Sequence, residues 1–347
     1  MENYLQQLNE AQHKAVINTE GPSLVIAGAG SGKTRVLTYR IAYLLEKGVA
    51  PWSVLALTFT NKAAREMKNR IGQIVGQETA SKLWMGTFHS VFAKILRIES
   101  EKLGYPSTFS IYDTTDSKSL INSILKELGL NKEKAYRPGA VLGRISAAKN
   151  DLIIPAVYAK DPQRTSADAA ARMFRMPEIY QRYMRECRKA GAMDFDDLLL
   201  NTNILFRDNP EILEKYQNRF QYILVDEYQD TNFSQYLITR KLAEKHKNIC
   251  VVGDDAQSIY SFRGAKIENI LNFRNDYQGY QLFKLEQNYR STQNIVNAAN
   301  SIIAHNEKQI KKEVYSQNDE GQKINMFQAQ SDVMKDLLSS TTSMTTA

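Results

Sequence analysis

The sequence predicts an α/β fold in which a parallel sheet is flanked by helices and interrupted by an inserted all-α subdomain. Three observations predict it. The stretch Ser23–Thr34 reads as apolar strand, small-residue loop and helix start. Apolar runs of strand length recur after it, each leading into a helical pattern. Between about Ile111 and Met193 that alternation gives way to helical periodicity alone.

A chain of 347 residues can hold two domains, or one large domain with an insertion. With 43% hydrophobic and 24% charged residues it reads as globular. The formal charge of +7 suits a polyanionic partner without requiring one. Cys187 and Cys250 lie far apart, which excludes a disulfide framework and suits a reducing, cytoplasmic setting. Met1–Gln12 has no apolar core and no run of 18 apolar residues occurs, so neither signal peptide nor membrane span is predicted.

Taken in order, Leu8–Val16 reads as a short amphipathic helix. Its Gln12 carries an amide able to pair with donor and acceptor on an adenine edge, although a lone glutamine serves equally as a solvated side chain. Ser23-Leu24-Val25-Ile26-Ala27 is the first strand. Gly28-Ala29-Gly30-Ser31-Gly32-Lys33-Thr34 then turns into a helix with Val36, Leu37, Ile41, Leu44 and Leu45 on one face and Gly48 as its stop. This order is the context of a phosphate-binding P-loop. Glycines let backbone N–H groups turn onto an anion, and the helix N-terminus adds partial positive charge. Lys33 reaches the β- and γ-phosphates, and the Thr34 hydroxyl ligates Mg²⁺. The first position of the pattern is Ala27 instead of Gly.

Ser53–Phe59 is a second strand, ending at the cap Thr60-Asn61 before the basic helix start Lys62-Ala63-Ala64-Arg65. Side chains at such a junction stand at the carboxyl edge of the sheet, where open α/β folds bind ligands. Leu83–Thr87 is the third strand and leads through Phe88-His89-Ser90 into another helix; Phe88 fits a core anchor or a base-stacking platform. In the insertion, the turns Arg137-Pro138-Gly139, Ile154-Pro155 and Asp161-Pro162 divide the helices. Lys149, Arg164, Arg172, Arg175, Arg182, Arg185, Arg188 and Lys189 form either a nucleic-acid surface or ordinary solvated faces.

The sheet pattern resumes at Gln221–Val225, which runs into Asp226-Glu227-Tyr228-Gln229-Asp230. Opposite a P-loop, one such acid holds Mg²⁺ and the next orients or deprotonates the attacking water. A fifth strand, Asn248–Val252, leads to Gly253–Ala265, where Gln257 precedes Tyr260, Phe262 and Arg263; the aromatics make either a stacking surface or a buried pair. Leu282–Leu285 is the last strand. Arg290 follows it, placed to supply charge to a transferring phosphoryl group, and a helix spans Thr292–His305.

The collinear blocks Leu8–Val16, Ala27–Thr34, Thr58–Ile71, Gly86–Ser90, Phe195–Leu199, Val225–Asp230, Val252–Ala265 and Leu285–Thr292 resemble superfamily-one DNA helicases of the UvrD/Rep/PcrA type over residues 1–330. The resemblance implies a RecA-like P-loop NTPase domain built from 1–110 and 194–289, a helical insertion at 111–193, and the start of a truncated second RecA-like domain at 290–330. It implies ATP and Mg²⁺ as cofactors, with single-stranded DNA and single-strand/duplex junctions as partners. Movement would run 3′ to 5′. Lys33 and Thr34, with Ala27, Gly28, Ala29, Gly30, Ser31 and Gly32, would hold the phosphates and Mg²⁺, with Asp226 completing the metal site. Glu227 would be the catalytic base, Gln257 would couple the γ-phosphate to the DNA-binding segment, and Arg290 would contact that phosphate. Gln12, Arg35 and Tyr289 would hold adenine. Phe59, Asn61, Thr87, His89, Tyr260, Phe262 and Arg263 would line the single-strand track, Phe262 standing where the family commonly has Trp. The family itself uses Ala at the position of Ala27.

From Ser331 onward the sequence turns Ser/Thr-rich, where the resembling proteins continue with folded structure, and a disordered tail at 331–347 is expected. The expectation raised by that change is a truncation, by frameshift near residue 332. The alternative to a motor is therefore a non-catalytic fragment that binds ATP and single-stranded DNA. A metabolic P-loop kinase conflicts with the glutamine–aromatic–arginine block.

Overall fold

The computed structural model describes residues 4–261, 264–306 and 309–325. Phe262, Arg263 and the tail at 331–347 lie outside the described residues. Among the described residues there are ten strands: β1 Ser23–Ala27, β2 Val54–Thr58, β3 Trp84–Thr87, β4 Ser110–Tyr112, β5 Ala192–Asp194, β6 Tyr222–Val225, β7 Ile249–Gly253, β8 Gln281–Leu285, β9 Gln287–Asn288 and β10 Tyr315–Ser316. Six of them form one sheet in the order β3-β2-β6-β7-β1-β8, parallel throughout.

Each inner strand is apolar at successive positions because both of its faces are covered. Leu24, Ile26, Leu55, Leu57, Ile223, Val225, Ile249 and Val251 point into one core, shared with helices Phe88–Ile98, Phe195–Asp208 and Phe233–Ala243. The intervening Val25, Ala27, Val54, Ala56, Leu224, Cys250 and Val252 point the other way, under helices Glu10–Ile17, Lys33–Glu46 and Asn61–Val75. Phe88 belongs to the first core: it is 1% exposed and packs between Phe59 and Phe92, so its stacking-platform reading gives way.

Because all six strands run the same way, their carboxyl ends share one edge. The loops after β1, β6, β7 and β8 therefore meet there, with those after β2 and β3 further along.

Helices Thr114–Glu127, Pro138–Asn150, Pro155–Tyr158, Pro162–Ala170 and Met176–Lys189 build a third core around Ile121, Ile124, Ile145, Tyr180 and Tyr183. The chain enters and leaves them side by side, β4 pairing in parallel with β5 from Ser110↔Ala192 to Tyr112↔Asp194. Three residues per strand are too few for periodicity to reveal. At this root Lys149 is fully buried, with Nζ 2.6 Å from Asp194 and 2.8 Å from Asp197. Burial disfavours the Lys149 charge, yet the two carboxylates hold its pKa well above the ordinary value. Asp197, desolvated and beside Asp194, is pushed up to about 7. Other basic residues of the insertion are also spent internally: Arg164 on Asp151 and Asp161, Arg175 and Arg182 on Glu178, Lys189 on Glu186. Those pairs fit the solvated-face reading better than a nucleic-acid surface.

Candidate functional site

The loop after β1 is shaped by its glycines. Gly30 (φ +69) and Gly32 (φ +87) both adopt left-handed backbone that side chains disfavour. A Cβ on Gly30 would sit 2.8 Å from the Arg290 Cβ and 2.9 Å from Asn288 Oδ1; one on Gly32 would sit 2.8 Å from Gln12 Nε2. Gly30→Ala is accordingly expected to cost about 1–3 kcal/mol, measured as weaker binding of a fluorescent ATP analogue.

Around this loop opens a cleft of about 490 Å³, lined by Gly28 to Arg35 together with Glu227, Gln257, Tyr289 and Arg290. Lys33 begins helix Lys33–Glu46, so its ammonium rises from the helix N-terminus. Across the cleft, Lys33 Nζ lies 3.4 Å from Glu227 Oε2. Glu227 itself has φ +48, a strained conformation for a non-glycine residue at the end of β6. Asp226 lies below the lining at 3% exposure and accepts the Glu227 N–H on Oδ1 at 3.1 Å. Burial, then the neighbouring Glu227, pushes Asp226 up to about 7, with Lys33 pulling the other way. Asp230 is raised to about 6 by the same two causes.

Two expected nucleotide positions stand differently. Ala27 is fully buried in the core under helix Lys33–Glu46 and does not line the cleft; its methyl packs inward, which is why glycine is dispensable there. Gln12 is 0% exposed and lies behind the loop, with both ends of its amide engaged. Nε2 donates to the Ser31 carbonyl at 2.9 Å, and Oε1 accepts the Asn9 N–H at 3.2 Å. Pairing with adenine requires exchanging one of those bonds.

Several residues that local sequence reading passed over lie in or beside the cleft. Asn288, 5% exposed, donates to the Ala29 carbonyl at 2.8 Å and accepts the N–H groups of Arg290 (2.7 Å) and Ser291 (2.8 Å). It thereby fixes where the backbone of Arg290 sits relative to the P-loop. Glu66 and Arg70, an ion pair on helix Asn61–Val75, line the outer wall. Lys312, 5% exposed on its side chain, pairs with Asp254 at 3.0 Å and Asp255 at 2.5 Å. Its signal was invisible because the partners lie more than 50 residues earlier.

A second cleft of about 480 Å³ runs along the same sheet edge toward the helical insertion. Phe59, Thr87, His89 and Tyr260 line it, with Asn150, Asp196 and Asp230. Burial holds the His89 imidazole below its ordinary pKa, and its ring meets the half-exposed Phe195 edge-on at 5.8 Å. Asn61 is exposed at the first position of its helix, capped by Thr60, and stands outside the lining. The loop after β7 joins the two clefts: Gln257 lines the first and Tyr260 the second.

Among the described residues no helix is long and apolar enough to cross a membrane. The chain matches the family model for the UvrD/REP helicase N-terminal domain over residues 8–278 and that for the UvrD-like helicase C-terminal domain over residues 283–337. It is 50% identical over 326 residues to the ATP-dependent DNA helicase PcrA of Staphylococcus aureus, an alignment covering 94% of this chain and 44% of that protein. The PcrA of Staphylococcus epidermidis is 49% identical over the same span. The chain thus spans about half the length of the curated relatives it matches.

Proposed function

This chain belongs to the UvrD/REP helicase family, and on that premise we propose that it binds ATP with Mg²⁺ and couples hydrolysis to 3′-to-5′ movement on single-stranded DNA in the cytoplasm. The observation that carries this reading is the placement of Lys33, Glu227 and Gln257 around one P-loop cleft whose bordering loop continues to Tyr260. We also propose that 1–110 with 194–289 is the ATP-binding lobe, 111–193 its insertion, and the segment from 290 the start of a second lobe.

In this reading Lys33 and the N–H groups of the loop hold the phosphates. Thr34 and the desolvated Asp226 would hold Mg²⁺, a hard cation that suits one carboxylate and a hydroxyl. When bound, Mg²⁺ would neutralise charge on the phosphate oxygens. Glu227 orients the attacking water and accepts its proton. Arg290, set by Asn288, reaches the γ-phosphate. Arg35 and Tyr289 flank the adenine, with Gln12 behind them. Phe59, His89 and Tyr260 present surfaces to unpaired bases, at junctions as well as in single strands.

Binding tests the reading. The chain should bind a fluorescent ATP analogue in Mg²⁺ and a labelled oligo(dT). Lys33→Ala should weaken the first and spare the second, whereas a chain that binds neither ligand overturns the proposal. Tyr260→Ala is expected to remove about 1–3 kcal/mol of oligo(dT) affinity, read by fluorescence anisotropy, with nucleotide affinity unchanged.

A further inference from the structure

Gln229 is 1% exposed, and both ends of its amide are hydrogen-bonded within the protein. Its Nε2 donates to Glu227 Oε2 at 2.9 Å, the same oxygen that faces Lys33. Its Oε1 accepts the N–H of Asp254 at 3.0 Å. Asp254 in turn accepts from Gln257 Nε2 on Oδ2 at 2.6 Å, and Ser258 Oγ donates to the Gln229 carbonyl at 3.3 Å. One side chain therefore joins the carboxylate in the nucleotide cleft to the loop that carries Gln257 and, three residues on, Tyr260.

The chemistry of this position is narrow. A donor is needed toward a carboxylate and an acceptor toward a backbone N–H, and an amide supplies both without charge. A carboxylate here would set like charges side by side, and an apolar side chain would leave the Asp254 N–H and a Glu227 lone pair without this partner. The fit is also tight: a Cβ on Gly253 would lie 2.6 Å from Gln229 Oε1, so the strand end leaves the amide only the space it fills.

We propose that Gln229 is a positioning residue that transmits the state of Glu227 to the Asp254–Tyr260 loop, and so carries coupling between nucleotide and single-stranded DNA. This rests on the function proposed above. When the γ-phosphate draws Lys33 and Glu227 into new positions, Oε2 moves, the amide follows, and the backbone of Asp254 moves with it. Coupling of this kind is reciprocal: whatever factor nucleotide applies to DNA affinity, DNA applies to nucleotide affinity.

The test is a double titration that needs no turnover. Affinity for labelled oligo(dT) is measured with and without a non-hydrolysable ATP analogue in Mg²⁺, for the wild-type chain, Gln229→Ala and the uncharged, similarly sized Gln229→Met. The wild-type ratio should be about fivefold or larger. Both variants should bring it close to one while affinity for each ligand alone stays near wild type and the Met variant keeps a cooperative thermal unfolding transition. A purely structural residue would shift the single-ligand affinities and leave the ratio. A ratio retained in the variants, or a wild-type ratio of one with both ligands bound, overturns this inference and leaves the proposed function standing. A wild-type chain that binds neither ligand overturns both.

Discussion

Glu227→Gln is expected to lower the turnover number for ATP by about 10²–10⁴-fold, with nucleotide binding preserved. The substitution keeps size and the φ +48 backbone, and the new amide oxygen can still accept from Gln229. What disappears is the ability to take a proton from water. The charge beside Asp226 and Lys33 disappears too, which relieves the like-charge repulsion on Asp226. Turnover and binding should therefore separate: single-turnover hydrolysis slows while titration with a fluorescent analogue shows similar or tighter affinity. An equal fall in both would mean that the side chain serves binding.

The second large effect concerns stability. Lys149→Met is expected to destabilise the fold by about 3–5 kcal/mol, the cost of leaving buried charges without their partner. Lys149 lies in the last turn of the helix Pro138–Asn150 of the insertion, while Asp194 and Asp197 cap the start of the helix Phe195–Asp208 of the sheet domain. Tyr183 also donates to Asp194 at 2.8 Å, so the triad ties both bodies to one point. Urea unfolding measures the loss. Adding Asp197→Asn to Lys149→Met should recover part of it, because one of the two stranded charges is then gone.

What could be read beforehand follows from where information sits in the chain. The inner strands were legible because two covered faces make an uninterrupted apolar run, as in Leu24-Val25-Ile26 and Ile223-Leu224-Val225. The P-loop was legible because its glycines, lysine and threonine are adjacent. The residues that went unnoticed are polar groups whose partners lie far off. Asn288 meets Ala29 across 259 residues and Gln229 meets Asp254 across 25, and each looks like a surface amide until the sheet brings the loops together. In the sequence Lys149 looks like its solvated basic neighbours, since nothing local distinguishes a buried lysine from an exposed one. Ala27 erred in the other direction: motif membership suggested a ligand contact where the side chain packs into the core.

In the proposed function the P-loop cleft and the aromatic cleft are two ends of one device. ATP turnover by this chain in Mg²⁺, with and without oligo(dT), tests that most directly. Turnover that rises on adding oligo(dT) and vanishes in Lys33→Ala is the predicted result; turnover indifferent to the oligonucleotide, or surviving loss of the Lys33 ammonium, would contradict it.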